Sequence, residues 1–258
     1  MTLELLAFNA GLVMALMTVL WGVSFFLKDV SIVDPWWSIH FLLVTVSAAV
    51  QTGWSPAKVL LVGAVALWAV RLWFHLFRRS LGQPEDPRYA AFRRRFGPER
   101  YRWLSFFQVF MLQGALALAV SIPLQVAAAA PLPDAVTPWH VAGVLVFAAG
   151  FCFEAVADAQ LTAFRADPAR RGTVLDTGLW RYSRHPNYFG EAVLGWGFWL
   201  CALPQPYGAW SALAPALMTF LLLRVSGVAM LDKLLASTKP GYAEYMRRTS
   251  AFIPRPPR

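Results

Sequence analysis

LELLAFNAGLVMALMTVLWGVSFFL, residues 3–27, carries a single charge, Glu4, in twenty-five positions. A helix needs about 20 apolar residues to cross a hydrocarbon layer about 30 Å thick, and this run is long enough. No basic segment precedes it, and it exceeds the apolar core of a secretory signal, so it reads as a retained span. Six further blocks follow at 36–52, 57–77, 104–126, 138–160, 188–203 and 209–231. The second and sixth are short, which suits a tilted, neighbour-buried or partly interfacial helix. In lipid every backbone polar group must be satisfied within the protein, so the blocks are expected to be helices. The alternation of a membrane β-barrel is absent. Composition agrees: the 258 residues are 58% apolar and 14% charged, with mean hydropathy +0.49, against about 45–50% and about 25% in soluble domains. The expectation is an all-α polytopic membrane bundle of about seven spans, forming a single membrane domain over residues 1–258.

Charge orders the connections. Residues 51–56, 127–137 and 204–208 contain no Lys or Arg, whereas the segments after the third and fifth blocks hold Arg78, Arg79, Arg93, Arg94, Arg95, Arg165, Arg170 and Arg171. The tail adds Lys233, Lys239, Arg247, Arg248, Arg255 and Arg258. By the positive-inside rule the N-terminus faces out, and the basic loops and tail face the cytoplasm. This distribution accounts for the net charge of +9 through topology and anionic headgroups, without nucleic acid. The two cysteines, Cys152 and Cys201, lie inside hydrophobic blocks and give neither a disulfide framework nor metal-ligand spacing. No GxGxxG between strand and helix, no HExxH and no glycine-rich phosphate loop is present.

The densest polar constellation is Arg184-His185-Pro186-Asn187-Tyr188-Phe189-Gly190-Glu191, at the mouth of the sixth block. Pro186 suits the first turn of a helix. Asn187 and Glu191 are then four apart and share one face. A carboxylate one turn inside a membrane helix is costly and marks a functional site by default. The competing reading is a snorkelling loop in which Glu191 pairs with an arginine.

This string resembles the signature of the bacterial branch of the steroid 5α-reductase family, with related strings in sterol reductases and isoprenylcysteine methyltransferases. Asp158 followed by Arg165, Gly241-Tyr242-Ala243-Glu244-Tyr245 leading to Phe252-Ile253-Pro254, and Glu85-Asp86-Pro87-Arg88-Tyr89 after Trp68 and Arg71 extend the resemblance over most of the chain. It implies hydride transfer from NADPH to the C=C bond of a lipophilic enone such as a 3-oxo-Δ4 steroid, in a bacterial inner membrane, with the cofactor entering from the cytoplasm. Residues 1–103 would then form the substrate side and 104–258 the NADPH side. By the same resemblance Arg165, Arg184 and Arg224 bind phosphates, as arginine forks do, and Asn187 and Glu191 contact the nicotinamide carboxamide. Asp158 holds an arginine or a ribose hydroxyl, and Tyr182, Tyr188 and Asp232 join the cofactor set. His185 is a phosphate contact or a structural donor. Tyr242 and Tyr245 close over the cofactor or anchor the tail at the interface. Arg71 is a phosphate contact or a snorkelling arginine.

Reducing an enone requires a donor at the ketone oxygen, where negative charge grows. The family places there a glutamate on the second span and a tyrosine on the third. Asp34 is the counterpart of the glutamate, and Trp68 stands where the tyrosine is expected, offering only an indole N–H. The acid is then Asp34 itself, kept protonated by burial, or His75, or Tyr89; alternatively, Asp34 before Pro35 merely caps the second helix. Trp36, Trp37, His40 and Trp68 line a sterol-sized pocket or serve as bundle packing. The alternative activity is an S-adenosylmethionine-dependent membrane methyltransferase acting on a prenylated or otherwise lipophilic acceptor. No resident metal is expected.

Overall fold

Thr2, Ser55 and Asp86 each cap the start of a helix with a side-chain oxygen. The computed structural model describes residues 1–132, 134–225 and 227–257; Pro133 of the outer loop and Arg258 of the basic tail lie outside the described residues. Helix α1 (Leu3–Leu27) starts with the Thr2 hydroxyl accepting from the Leu5 N–H at 3.2 Å and stops at Lys28 in a left-handed conformation. A 3-10 turn (Ser31–Trp36) leads into α2 (Trp37–Thr52). Ser55 caps α3 (Pro56–Ser80), with Pro56 in its first turn. Asp86 caps the short α4 (Pro87–Phe96), and Gly97 at φ 77° separates it from α5 (Pro98–Ser105). A π-helical turn (Phe106–Met111) joins α5 to α6 (Leu112–Val120), and α7 (Ile122–Ala128) follows. The remaining long elements are α8 (Pro138–Ala166), α9 (Pro186–Ala202), α10 (Leu213–Phe220), α11 (Val228–Thr238) and α12 (Tyr242–Arg248). No strand occurs among the described residues.

Among the described residues six helical stretches are long and apolar enough to span a membrane: Leu3–Leu27, Ser31–Thr52, Pro56–Ser80, Pro98–Val120, Pro138–Ala166 and Trp210–Thr238. The protein is an all-α polytopic membrane bundle. The remaining expected block became α9, whose 17 residues rise about 26 Å at 1.5 Å per residue. That falls short of a full crossing, as its short apolar run implied, and α9 is instead covered closely by α8.

The chain divides into two compact units, Met1–Thr137 with Ala202–Ala209, and Pro138–Cys201 with Trp210–Arg258. The fourth hydrophobic block, 104–126, lies in the first of these units. In the first unit α2 is central, contacting α1, α3, α6 and α7. At its arginine-rich end, α4 and α5 close a core of Met17, Leu20, Val30, Val33, Tyr89, Tyr101, Val109 and Phe110. The loop before α4 is tied down by Glu85, which accepts from the Val30 N–H at 2.9 Å and from both Nε and Nη2 of Arg93 at 2.8 and 2.7 Å. Burial alone would raise the Glu85 pKa, but those donors outweigh it and hold the carboxyl below its ordinary value.

Candidate active site

In the second unit the site begins with four glycines. A Cβ on Gly190 of α9 would lie 2.5 Å from the Glu154 backbone nitrogen and 2.7 Å from the Gly150 oxygen of α8. One on Gly197 would lie 2.5 Å from the Phe147 nitrogen and 2.7 Å from the Gly143 oxygen. The pairs run in opposite order along the two helices, so α8 and α9 pack antiparallel with backbones in contact, as small residues allow in membranes. This contact sets their register. One turn before Gly190 on α9, Asn187 Nδ2 donates to Asp158 Oδ1 of α8 at 3.1 Å. Glu191 follows Asn187 by one turn on α9, half-buried, and Glu154 precedes Asp158 by one turn on α8. Glu154 was not singled out from sequence, yet it is 3% exposed. The signal was available, since an acid inside a span and four before Asp158 meets the same criterion that selected Glu191.

Behind this helix pair, the segment leading into α9 is fastened on both sides. Gln160 Oε1 accepts from the Leu179 N–H at 3.0 Å, and Trp180 Nε1 donates to the Ala157 carbonyl at 3.1 Å. On the other side Asp232 is a hub. Its Oδ2 accepts from Arg184 Nη2 at 2.6 Å; its Oδ1 accepts from Tyr242 OH at 2.7 Å and from Arg184 Nε at 3.2 Å. His185 Nε2 lies 3.0 Å from the same Oδ1, and its ring stacks on Tyr188. Arg184 Nη1 donates to the carbonyls of Met246 and Thr249, and the Arg184 N–H to that of Ser250. Tyr245 OH donates to the Trp180 carbonyl at 2.5 Å and Ser183 Oγ to that of Phe252 at 2.7 Å. Burial, with the neighbouring Asp232 carboxylate, raises the Tyr242 pKa, and burial raises that of Tyr245, so both phenols remain neutral donors.

The structure thus brings Arg184, His185, Asp232 and Tyr242 into one cluster and Asn187 together with Asp158. Arg184 is spent on Asp232 and the tail, which places it as a tie for residues 242–255. Tyr242 and Tyr245 are buried within that tie, whereas Arg165, Arg224 and Tyr182 are exposed. Removing the hub exposes its worth. Asp232→Ala leaves a buried guanidinium without its anion, and loss of one partner from such a pair costs about 3–5 kcal/mol. Thermal unfolding in detergent is expected to shift down sharply, with limited proteolysis opening first in 242–255; an unchanged transition contradicts the hub.

In the first unit Asp34 has a different role from a helix cap. Neither the 3-10 turn nor α2 has a side-chain cap. Instead Asp34 Oδ1 accepts from Tyr89 OH at 2.7 Å and from Gln113 Nε2 at 3.1 Å, while Oδ2 accepts from Arg88 Nη2 at 3.1 Å. Gln113 Nε2 also lies 3.1 Å from Tyr89 OH. The π-helical turn ends two residues before Gln113, and such turns are frequent at functional sites. Gln113 carried no motif and was missed. Burial and the Asp34 carboxylate raise the Tyr89 pKa, so the phenol keeps its proton. Of the residues expected nearby, Trp68 is 2% exposed and packs edge-on against Phe41 at 5.3 Å. Trp36 packs against Trp73, Trp37 against Phe41, and His40 Nδ1 lies 2.7 Å from the Trp36 carbonyl. Arg71 and His75 are half-buried on α3. A carboxyl–phenol pair is therefore present, with the phenol supplied by α4 rather than by the third span.

Over 96% of its length the chain is 25% identical to a protein of Schizosaccharomyces pombe named Uncharacterized protein C594.04c, covering 80% of that relative. Residues 20–249, from late α1 to the end of α12, match the family described as Protein of unknown function (DUF1295), and the chain belongs to that family.

Proposed function

We propose that the protein is a membrane oxidoreductase that uses NADPH to reduce the C=C bond of a lipophilic enone. The observation that carries this reading is the 2.7 Å hydrogen bond between Tyr89 OH and Asp34 Oδ1, braced by Gln113. Enone reduction needs a proton-bearing donor where an oxyanion develops, and this buried phenol with a carboxyl behind it is such a donor. By the charge bias of the loops the basic segments face the cytoplasm, where NADPH is found. By the resemblance the membrane is a bacterial inner membrane, and the substrate enters from the lipid.

The donor set suits a nicotinamide nucleoside. Asn187 offers an amide that matches a carboxamide, and Asp158 and Glu191 offer acceptors for amide and ribose N–H or O–H groups. NADPH, when bound, supplies the hydride. Asn187 and Asp158 orient the ring end, and exposed Arg165 can meet phosphate. Arg184 is assigned the tie that holds the tail against this segment rather than a phosphate. To hold the ketone oxygen, the Tyr89 hydrogen turns from Asp34 Oδ1 to the substrate while Gln113 keeps its hydrogen bond to the phenolic oxygen. Asp34 then passes a proton taken up from water back to Tyr89 across their hydrogen bond.

The test is a thermal-shift titration of the purified protein with NADPH and, separately, with S-adenosylmethionine. Stabilisation by NADPH is expected, and Asn187→Ala is expected to weaken it about tenfold, the worth of one hydrogen bond of ordinary strength, while leaving the unliganded transition in place. Stabilisation by S-adenosylmethionine alone would replace this reading with a methyltransferase.

A further inference from the structure

We propose that the α2–α3 face of the first unit binds a hydroxyl group of the lipophilic substrate between His40 Nε2 and Trp73 Nε1, an assignment that rests on the reductase reading. His40 is 1% exposed. Its Nδ1 lies 2.7 Å from the Trp36 carbonyl, and a carbonyl only accepts, so Nδ1 carries the hydrogen and Nε2 presents a lone pair. That Nε2 is buried and finds no hydrogen-bond partner among the described residues. The indole N–H of Trp73, on the neighbouring helix, is likewise buried and unpartnered among them. Trp36 links the two: its carbonyl holds His40, and its ring meets that of Trp73 edge-on at 6.0 Å.

Buried polar atoms are overwhelmingly paired in native structures, and within a membrane the protein or its ligand must supply the partner. Among the described residues the other buried orphans are Asn9 Oδ1 on α1 and Tyr101 OH on α5. The Asn9 amide is already held by Gln125, and the Tyr101 ring lies under Arg93. Neither pairs a donor with an acceptor. His40 and Trp73 together offer one acceptor and one donor. A hydroxyl complements both; a ketone can satisfy Trp73 alone, and a cation can satisfy His40 alone. The rings of Trp36 and Phe77 pack against Trp73 at 6.0 and 5.1 Å and give flat apolar surfaces suited to fused rings. From Asp34 to His40 the chain rises about 10 Å along the axis, through two 3-10 steps and four α-helical ones. The substrate is thus a rigid lipophile with a ketone at the mouth and a hydroxyl deeper in the bilayer.

The experiment uses the full chain in lipid nanodiscs and two probes, a 3-oxo-Δ4 steroid with a 17β-hydroxyl and its counterpart with C17 unsubstituted. Binding is measured with and without NADPH by tryptophan fluorescence, and NADPH binding is measured separately. The hydroxylated steroid is expected to bind about tenfold more tightly, as one added hydrogen-bonded group implies. His40→Phe is expected to abolish that preference while leaving affinity for the unsubstituted steroid intact, and His40→Asn, which keeps an acceptor, to restore part of it. Trp73→Phe gives an independent reading through the donor and is expected to reduce the preference. Equal affinities in the native protein, binding of neither steroid, or a preference that survives both His40→Phe and Trp73→Phe would overturn the proposal. Loss of NADPH binding alone, with the hydroxyl preference retained, would sink the reductase reading and leave the subsite standing.

Discussion

Gly190→Leu is expected to abolish accumulation of folded protein, whereas Gly63→Leu leaves it intact. Both residues sit in apolar helices, and both substitutions add the same hydrophobic surface. They differ in what the new side chain meets. At Gly63 a Cβ has nothing within 4 Å, while at Gly190 it would sit 2.5 Å from the Glu154 nitrogen and 2.9 Å from the Glu154 Cα. No rotamer of leucine avoids a clash that begins at Cβ, and the obstacle is backbone rather than a flexible side chain. Helices α8 and α9 must separate along their length, which also breaks the matching Gly143–Gly197 contact and pulls Asn187 off Asp158. A rearrangement of that extent exceeds the about 1–3 kcal/mol of ordinary overpacking. Detergent extraction followed by size-exclusion chromatography reads the outcome as a lost monodisperse peak. A monodisperse Gly190→Leu protein with native melting behaviour would mean that the two helices are not in backbone contact.

That helix pair also marks how far the sequence carries. The spans were legible because lipid imposes one requirement, a long apolar run, and residues 3–27, 57–77 and 138–160 meet it without any knowledge of neighbours. Helix starts were legible where Ser55-Pro56 and Asp86-Pro87 supply a cap and a fixed φ. Glycine spacing was legible in principle, since Gly143 and Gly150 repeat at seven residues, as do Gly190 and Gly197, but nothing in one helix names its partner. Asp34 illustrates a different limit. Its sequence context, Asp before Pro, suits a helix cap equally well, and only the return of the chain through α4 brings Tyr89 to it. Counting along α3 led to Trp68, which faces Phe41 and the core, because the count assumed that the phenol comes from the third span. Gln113 had no signal at all. A glutamine in an apolar helix is read as tolerated polarity until its neighbours are known. For Arg184 the residue type pointed to phosphate, and the structure shows an internal use for the same fork of donors, against Asp232 and two backbone carbonyls of the tail.

Tyr89→Phe is expected to lower kcat with NADPH and a lipophilic enone by roughly 100- to 1,000-fold, the loss seen when one oxyanion donor is removed. The substitution deletes a single oxygen and keeps the ring that packs with Met17, Val33 and Tyr101 in the α4–α5 core, so folding is preserved and NADPH affinity should not move. Asp34→Asn is a subtler change. The amide keeps the shape and can still accept from Gln113 or Tyr89, but it cannot pass a proton, so the chemical step slows while substrate binding is maintained. Because the two residues act through one hydrogen bond, the double variant should be little slower than the slower single one; groups that work as a unit are not additive. Independent contributions would instead multiply. Single-turnover measurement of NADPH oxidation separates these cases, since it reads the chemical step apart from product release. Fully multiplicative losses would mean that Asp34 and Tyr89 act separately. Native turnover in Tyr89→Phe would move the donor to another residue, with His75 the next to substitute.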